Sequence, residues 1–112
     1  MEKALSNITV LDLTRVLAGP YCTMMLADYG ANVIKIEMPG KGDDTRAMGP
    51  KKNDYSMYYA YVNRGKKVIW VRSLVPKDVV PVGAIVKHAM LRRPYFIISS
   101  YKEGSASFNR FM

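Results

Sequence analysis

The sequence of 112 residues predicts an α/β fold organised around a strand, helix, strand unit in residues 8–46. Residues 8–14 form a short run that is rich in β-branched residues and carries apolar side chains on both faces, as a buried parallel strand does. Residues 22–29 then place apolar side chains at helical spacing, and residues 31–37 return to strand character. A unit of about 30 residues has the size of a right-handed βαβ crossover.

The helix of this unit is bounded by turn residues at both ends. After the break at Ala18-Gly19-Pro20, Pro20 is suited to the first helical position, where its missing N–H costs nothing. Gly30 is predicted to end the helix as a C-terminal cap. One helical face is predicted to be apolar and buried. Its members are Cys22, Met25, Leu26 and Tyr29.

The single cysteine limits both the redox chemistry and the setting of the chain. Because Cys22 is alone, no disulfide can form within the chain, which favours a reducing, cytoplasmic location. Its place on the apolar helix face predicts a buried structural thiol and not a nucleophile. No signal peptide and no run of about 18 apolar residues is present, so we expect neither a membrane anchor nor a membrane span.

The net charge of +8 allows an anionic partner, but the basic residues are dispersed. The longest basic runs are the pairs Lys66-Lys67 and Arg92-Arg93, a pattern that favours solvated surface cations over nucleic-acid binding. Glu37 ends the second strand where a dinucleotide-binding fold keeps its ribose acid, yet no G-x-G-x-x-G motif precedes it. H-E-x-x-H, C-x-x-C and P-loop spacings are also missing, and we therefore predict no metal site.

Residues 40–52 are predicted to form a polar surface loop because they contain three glycines and Pro50. Within this loop, residues 43–46 (DDTR) admit two interpretations, a functional loop or an Asx-type turn with a local ion pair. Asp54 is predicted to cap a second helix. One stripe of that helix contains Tyr55, Tyr58, Tyr59 and Val62. Its helical spacing predicts packing against the protein with partly exposed hydroxyls, and the alternative is a stacking platform for bases or an adenine ring.

The remaining elements are predicted to be short strands. A turn at Asn63-Arg64-Gly65 precedes strand character in residues 66–71. Residues 79–86 and 95–99 have the composition of two further strands.

Residues 8–46, followed by the tyrosine-rich segment and by NRGKK at residues 63–67, resemble the amino terminus of the family III CoA-transferases. This CaiB/BaiF group includes formyl-CoA transferase and the α-methylacyl-CoA racemases. The resemblance implies a Rossmann-like fold, coenzyme A as a substrate with no permanently bound cofactor, and interlocked homodimers.

The resemblance also implies a reaction, the transfer of CoA from an acyl-CoA thioester to a carboxylic acid. In the transferases an aspartate attacks the thioester, passes through a mixed anhydride to an aspartyl-CoA thioester, and hands CoA to the acceptor acid. The racemase branch removes and returns an α-proton instead.

Carried onto this sequence, the family pattern places the CoA path along the turn after the first strand. Arg15, Val16, Leu17 and Ala18 match the lining positions. Ligands of parallel sheets bind outside the carboxyl ends of the strands, which agrees with this position. Leu17 departs from the formyl-CoA transferases, which have a glutamine there, so oxalate or formate specificity does not follow.

Three further positions are predicted to contact CoA. Met38 stands where those enzymes place an arginine against the adenine ring, and its thioether retains the capacity to pack on the ring edge. Lys67 and Val71 fall near another CoA-lining segment.

The family pattern predicts two regions, a CoA-transferase amino-terminal segment in residues 1–70 and a divergent tail in residues 71–112. Three prolines interrupt this tail, and the family's landmarks do not follow residue 70, which predicts a frameshift or a truncation. No equivalent of the catalytic aspartate is expected, so no catalytic residue is assigned. The alternative to a CoA-transferase is accordingly a non-catalytic fragment that binds CoA or protein.

Overall fold

The computed structural model describes residues 1–70 and 95–99. In chain order its helices and strands are β1 (Thr9–Leu13), α1 (Ala18–Asp28), β2 (Asn32–Glu37), a 3-10 helix (Asp44–Ala47), β3 (Lys51–Lys52), β4 (Tyr55–Ser56), α2 (Met57–Val62), β5 (Lys67–Trp70) and β6 (Tyr95–Ser99).

Four of the strands form one parallel sheet in the order β5, β2, β1, β6. The strand order is therefore third, second, first, fourth along the chain, as in a Rossmann-like sheet. The predicted strand, helix, strand unit is confirmed as β1, α1 and β2, with Thr9 opposite Asn32. Strand β6 confirms the strand predicted in residues 95–99, whereas residues 79–86 lie outside the described part of the chain.

The sheet face beneath α1 changes from apolar to charged along the strands. Near the amino edge, Val10 and Val33 are buried with Ala31 against the underside of the helix. Towards the carboxyl edge, Asp12 and Lys35 occupy the corresponding inward positions, and both are fully buried. Buried charges need partners, so the chain must supply them at this end of the sheet.

The predicted apolar face of α1 is wrong at three of its four residues. Cys22, Met25 and Tyr29 are exposed, and only Leu26 packs, partly buried, on the core. The helix buries Pro20, Thr23 and Met24 instead. Thr23 faces inward because its hydroxyl donates to the buried Asp12 carboxylate at 2.6 Å. The buried face therefore contains a polar residue, and the prediction of a buried structural thiol is also wrong.

The predicted end of α1 at Gly30 is confirmed. Gly30 has a φ of 102°, a left-handed conformation that favours glycine. Its N–H donates to the Ala27 carbonyl at 2.9 Å, and the Ala31 N–H donates to the Leu26 carbonyl at 3.0 Å. These two bonds form a Schellman motif, which turns the chain directly into β2.

The predicted cap of α2 at Asp54 is wrong. Asn53 and Asp54 have φ values of 50° and 61° and form the two-residue turn of the β3–β4 hairpin, a turn that requires φ above zero at both positions. Ser56 caps the helix instead, because its hydroxyl accepts the Tyr59 N–H at 3.0 Å. Tyr59 and Val62 are buried as predicted, but Tyr55 lies in the hairpin and is exposed.

Candidate functional site

The candidate site lies at the carboxyl edge of the sheet, at the turn between β1 and α1. Strand β2 pairs with one side of β1 and β6 pairs with the other, so the strand order reverses at β1. Ligands of open α/β sheets bind in the crevice at such a switch point. The turn of residues 14–17 that leads from β1 into α1 is therefore placed where a ligand is expected.

The turn exposes apolar side chains and the start of a helix. Val16 and Leu17 are 40% and 50% exposed, and Ala18, the first residue of α1, is also exposed. The first turn of α1 has no side-chain cap and no acidic residue of its own, so no residue of this turn neutralises the positive end of the helix dipole. An apolar strip beside uncapped N–H groups suits a ligand with both apolar and anionic parts.

Residues 43–46, which we call the clamp loop, hold this turn from one side. Asp44 forms an ion pair with Arg15 at 2.6 Å, and Lys41 pairs with the same carboxylate at 2.9 Å. Asp43 accepts the Val16 N–H at 3.4 Å. The clamp loop therefore contacts two successive residues of the turn.

Asp43 is also the centre of a buried ion pair with β2. Its Oδ2 atom lies 2.8 Å from Lys35 Nζ, and both side chains are almost completely buried. Lys35 donates to the Thr14 carbonyl at 2.9 Å, which ties β2 to the start of the turn. Asp43 Oδ1 accepts both the N–H and the hydroxyl of Thr45, so this carboxylate also caps the 3-10 helix of the clamp loop.

The clamp loop is anchored by a second charged cluster at the end of β2. Glu37 accepts from Arg46 Nε at 2.8 Å and from the Tyr59 hydroxyl at 2.6 Å. The Arg46 guanidinium lies 4.0 Å from the centroid of the Tyr59 ring, a cation–π distance. Glu37 also accepts the Asp43 N–H at 3.2 Å. Strand β2, the clamp loop and α2 are therefore joined at one carboxylate.

A third network lies under the helix start. Asp12 accepts from Thr14, from Thr23 and from Lys66 Nζ, the last at 3.0 Å. Lys66 also donates to the carbonyl of Pro20 at 2.9 Å and to Asn63 Oδ1 at 3.0 Å, so all three of its donors have partners. This network connects β1, α1 and the chain before β5.

The pKa values at the site reflect two opposing effects: burial disfavours the charged form of a group, and pairing with an opposite charge favours it. Burial would raise the pKa of Asp43, but its contacts with Lys35 and Thr45 outweigh burial and lower it. Burial lowers the pKa of Lys66 despite the attraction of Asp12. Burial and the hydrogen bond to Glu37 both raise the pKa of Tyr59, which therefore remains a neutral donor at physiological pH.

The structure brings together five of the seven predicted contact residues. Arg15, Val16, Leu17 and Ala18 follow β1, and Met38, which is 40% exposed, follows β2 at the same edge. Lys67 begins β5 opposite Ile34, three residues before the carboxyl end of that strand. At about 3.3 Å per residue it lies roughly 10 Å back from the edge. Val71 is outside the described residues.

The charged residues that support the turn were not assigned to the site from sequence. A signal for two of them exists, because Asp12 and Lys35 are each a charged residue with an apolar neighbour on either side within a strand. The Asx-type turn at Asp43 is confirmed, and Asp44 forms a local ion pair with Lys41. The other ion pairs of the clamp loop reach Arg15, Lys35 and Glu37, and only the tertiary structure shows them.

Neither a metal site nor a membrane-spanning helix is found within the described ranges. Residues 1–70 and 95–99 contain no group of three or more His, Cys, Asp or Glu side chains arranged to hold a metal ion. None of the helices in these ranges has the length and apolar character needed to cross a membrane.

The parallel sheet and its strand order define a Rossmann-like α/β protein, whose exposed switch-point turn is the candidate ligand site. The family model for CoA-transferase family III matches residues 5–89, and the chain belongs to that family. The match continues past the boundary predicted at residue 70. The boundary itself, like the frameshift or truncation, stays a prediction.

The curated relatives that match this chain are CoA-transferases by name. The succinyl-CoA:glutarate CoA-transferase of Homo sapiens is 56% identical over 78 residues, which are 69% of this chain and 18% of that protein. The succinate–glutarate CoA-transferase of Agrobacterium fabrum is 43% identical over 105 residues, 88% of this chain and 25% of that protein. This chain therefore spans between about a fifth and a quarter of the length of these relatives.

Solved structures are similar in fold as well. A hypothetical protein from Mycobacterium tuberculosis superposes with a TM-score of 0.70 at 30% identity, covering 95% of this chain and 28% of that one. A CAIB/BAIF family protein from Brucella suis gives a TM-score of 0.61 at 36% identity, covering 69% of this chain and 21% of that one.

Proposed function

We propose that this chain provides the CoA-lining amino-terminal segment of an enzyme that transfers CoA from an acyl-CoA thioester to a carboxylic acid. The observation that carries the proposal is the exposed β1–α1 turn at the switch point of a family III sheet. CoA combines an apolar pantetheine arm with anionic phosphates. An apolar strip next to uncapped helix N–H groups and to Arg15 suits both parts.

The contact residues proposed for CoA are those predicted from the sequence. Val16, Leu17 and Ala18 would pack along the pantetheine arm, and Arg15 would lie near its charged end. Met38 is proposed to pack against the adenine ring. The other two proposed contacts are Lys67 and Val71.

A dicarboxylic acid is the proposed acceptor. The similar enzymes are named for glutarate, oxalate and mesaconate, all of which are dicarboxylates. We propose the same class of acceptor here, with succinyl-CoA as the donor to test first. The α-methylacyl-CoA racemase reaction is the less favoured alternative, since these relatives are transferases by name.

The carboxylates at the described site do not suit the role of nucleophile. Asp12, Glu37 and Asp43 are buried and engaged by cations. Asp44 is partly exposed, but it pairs with Lys41 and Arg15, and these contacts lower its pKa, which weakens its basicity. We therefore propose that CoA binding by this chain is separable from turnover. A non-catalytic fragment that binds CoA or protein is the second candidate function.

We also propose that the enzyme is cytoplasmic, that it uses CoA as a substrate without a resident cofactor, and that it has no nucleic-acid partner. The longer proteins of the family would assemble as interlocked homodimers. Size-exclusion chromatography of this chain would reveal its own oligomeric state.

The test is a calorimetric titration of the 112-residue chain with CoA, alongside an assay of CoA exchange between succinyl-CoA and glutarate. Leu17→Asp should weaken CoA binding at least tenfold, because it places a carboxylate in the path of an anionic ligand. An acidic residue at this position lies at the N-terminus of α1, where it stabilises the helix, so weaker binding would not be due to unfolding. Met25→Asp, on the exposed side of α1, is the matched control and should retain the affinity.

Four outcomes are informative. CoA binding without exchange supports the non-catalytic fragment, and binding with exchange supports the transferase. A chain that folds cooperatively but does not bind CoA, or one in which both substitutions weaken binding equally, would refute the proposed site.

A further inference from the structure

We propose that Asp43, together with Lys35, is a positioning residue that holds the β1–α1 turn in the backbone conformation that presents its side chains to CoA. This inference rests on the proposed function for its ligand, but the conformational part can be tested without CoA. Neither side chain is itself exposed at the turn.

The turn contains a strained residue. Val16 has a φ of 71°, in the left-handed region that β-branched side chains strongly disfavour. A conformation of this kind costs about 1–3 kcal/mol and persists only where the surrounding contacts over-determine it. Something at this turn must therefore prevent Val16 from relaxing to negative φ.

The contacts of Asp43 and Lys35 fall on both sides of the strained residue. Asp43 Oδ1 accepts the N–H of Val16 itself, at 3.4 Å. Lys35 donates to the carbonyl of Thr14 at 2.9 Å, two residues earlier. Because the two side chains pair with each other at 2.8 Å, they link these backbone groups through one buried unit.

This unit is anchored to a rigid element. Lys35 belongs to β2, in the interior of the sheet, and the Asp43 N–H donates to Glu37 at the end of the same strand. The ion pair between Asp44 and Arg15 adds a contact at the residue between Thr14 and Val16. The turn is therefore held in place by contacts with β2 as well as by β1 and α1, the two elements that flank it.

Releasing the unit should reduce the fraction of molecules in the binding conformation. With valine at position 16, strain favours negative φ once the clamp is gone, and the apparent affinity falls in proportion to the competent fraction. Glycine populates positive and negative φ about equally. The loss should therefore depend on which residue occupies position 16, which a purely structural role of the ion pair does not predict.

The experiment is a cycle of variants in the full chain. The variant Lys35→Met/Asp43→Ala removes both charges, so neither is left buried without a partner. In the native background it should weaken CoA binding about tenfold by calorimetry; in the Val16→Gly background it should weaken binding less than threefold. Equal losses in the two backgrounds would overturn the proposal, even if both variants are less stable. Comparing backgrounds also cancels any direct contact between Val16 and CoA.

Two further measurements separate this inference from its premises. Asp28→Ala/Arg64→Met removes an ion pair at the other end of α1 and should leave CoA affinity unchanged. Hydrogen exchange of the Val16 backbone amide, which donates to Asp43 in the native chain, needs no ligand; it should become at least tenfold faster in Lys35→Met/Asp43→Ala while β1 amides keep their protection. If the native chain does not bind CoA, the proposed function fails and hydrogen exchange alone tests the inference; an unchanged exchange rate of the Val16 amide would refute the positioning role.

Discussion

Replacing Lys35 with methionine tests how much the buried charges contribute to folding. Lys35 is fully buried, lies 2.8 Å from Asp43 Oδ2 and donates to the Thr14 carbonyl. Methionine has a similar length and no charge, so the substitution keeps most of the packing volume. It leaves the carboxylate of Asp43, itself only 2% exposed, without its cation.

The expected loss of stability in Lys35→Met follows from the contacts that Asp43 retains. Removing one partner of a buried ion pair typically costs about 3–5 kcal/mol. Asp43 would still accept hydrogen bonds from Thr45 and Val16, so we expect the lower end, about 3 kcal/mol. A small domain is stable by only about 5–15 kcal/mol, and the variant would lose a large part of that. Lys35→Met/Asp43→Asn buries no lone charge and should recover to within about 1 kcal/mol of the native chain.

The assay is equilibrium unfolding in urea, followed by circular dichroism and by the fluorescence of Trp70, the single tryptophan. The free energies of unfolding of the native chain, both single variants and the double variant complete a cycle. A loss below about 1 kcal/mol for Lys35→Met, or a double variant no more stable than either single one, would refute the reasoning.

Three other predictions concern the same edge of the sheet. Gly42→Ala should destabilise the chain by about 2 kcal/mol or more, because its φ is 66° and an added Cβ would lie 2.5 Å from Glu37 Oε2. Gly40→Ala, at a φ of 85° in open space, is the matched control; equal losses for the two would contradict the close approach. Thr23→Val should cost about 1.5–3 kcal/mol in urea unfolding, since it removes the 2.6 Å hydrogen bond to the Asp12 carboxylate; an unchanged stability would show that this bond contributes nothing. The pKa of Asp43 is lowered on folding, so the unfolded chain binds its proton first and the stability from this group is present above about pH 4 and lost as pH falls through the folded pKa. Urea unfolding from pH 6 to pH 2 should show that loss, and Asp43→Asn should reduce the slope below pH 4; an identical slope would contradict the assignment.

Helices, strands and turns were predicted correctly where a short stretch of sequence decides the backbone conformation. Strands β1 and β2 follow from apolar runs, and the end of α1 follows from Gly30, whose φ of 102° few other residues adopt readily. These features depend on neighbours in the chain and so can be read from the sequence.

Two predictions, the buried face of α1 and the cap of α2, were wrong because a polar side chain decides the local structure. A search for apolar periodicity selects Cys22 and Met25 as the inward face of α1, but the helix turns Thr23 inward to meet the Asp12 carboxylate. Ser56 was likewise overlooked as a cap in favour of Asp54, which the hairpin turn uses. In the first case a hydrogen bond outweighs the pattern of hydrophobic residues, and in the second the hairpin turn removes Asp54 from the capping position.

For this protein, the sequence by itself determined the βαβ unit, the family resemblance and the position of Arg15 and its neighbours at the carboxyl end of β1. Only the tertiary structure decided what holds that turn in place. Lys35 and Asp43 are eight residues apart and meet because the loop after β2 folds back onto that strand. Asp12 and Lys66 are 54 residues apart and meet because the chain that enters β5 reaches β1 and the start of α1. The pairing of buried charges depends on this three-dimensional proximity, because an unpaired charge in the interior would remove a large part of the free energy of folding.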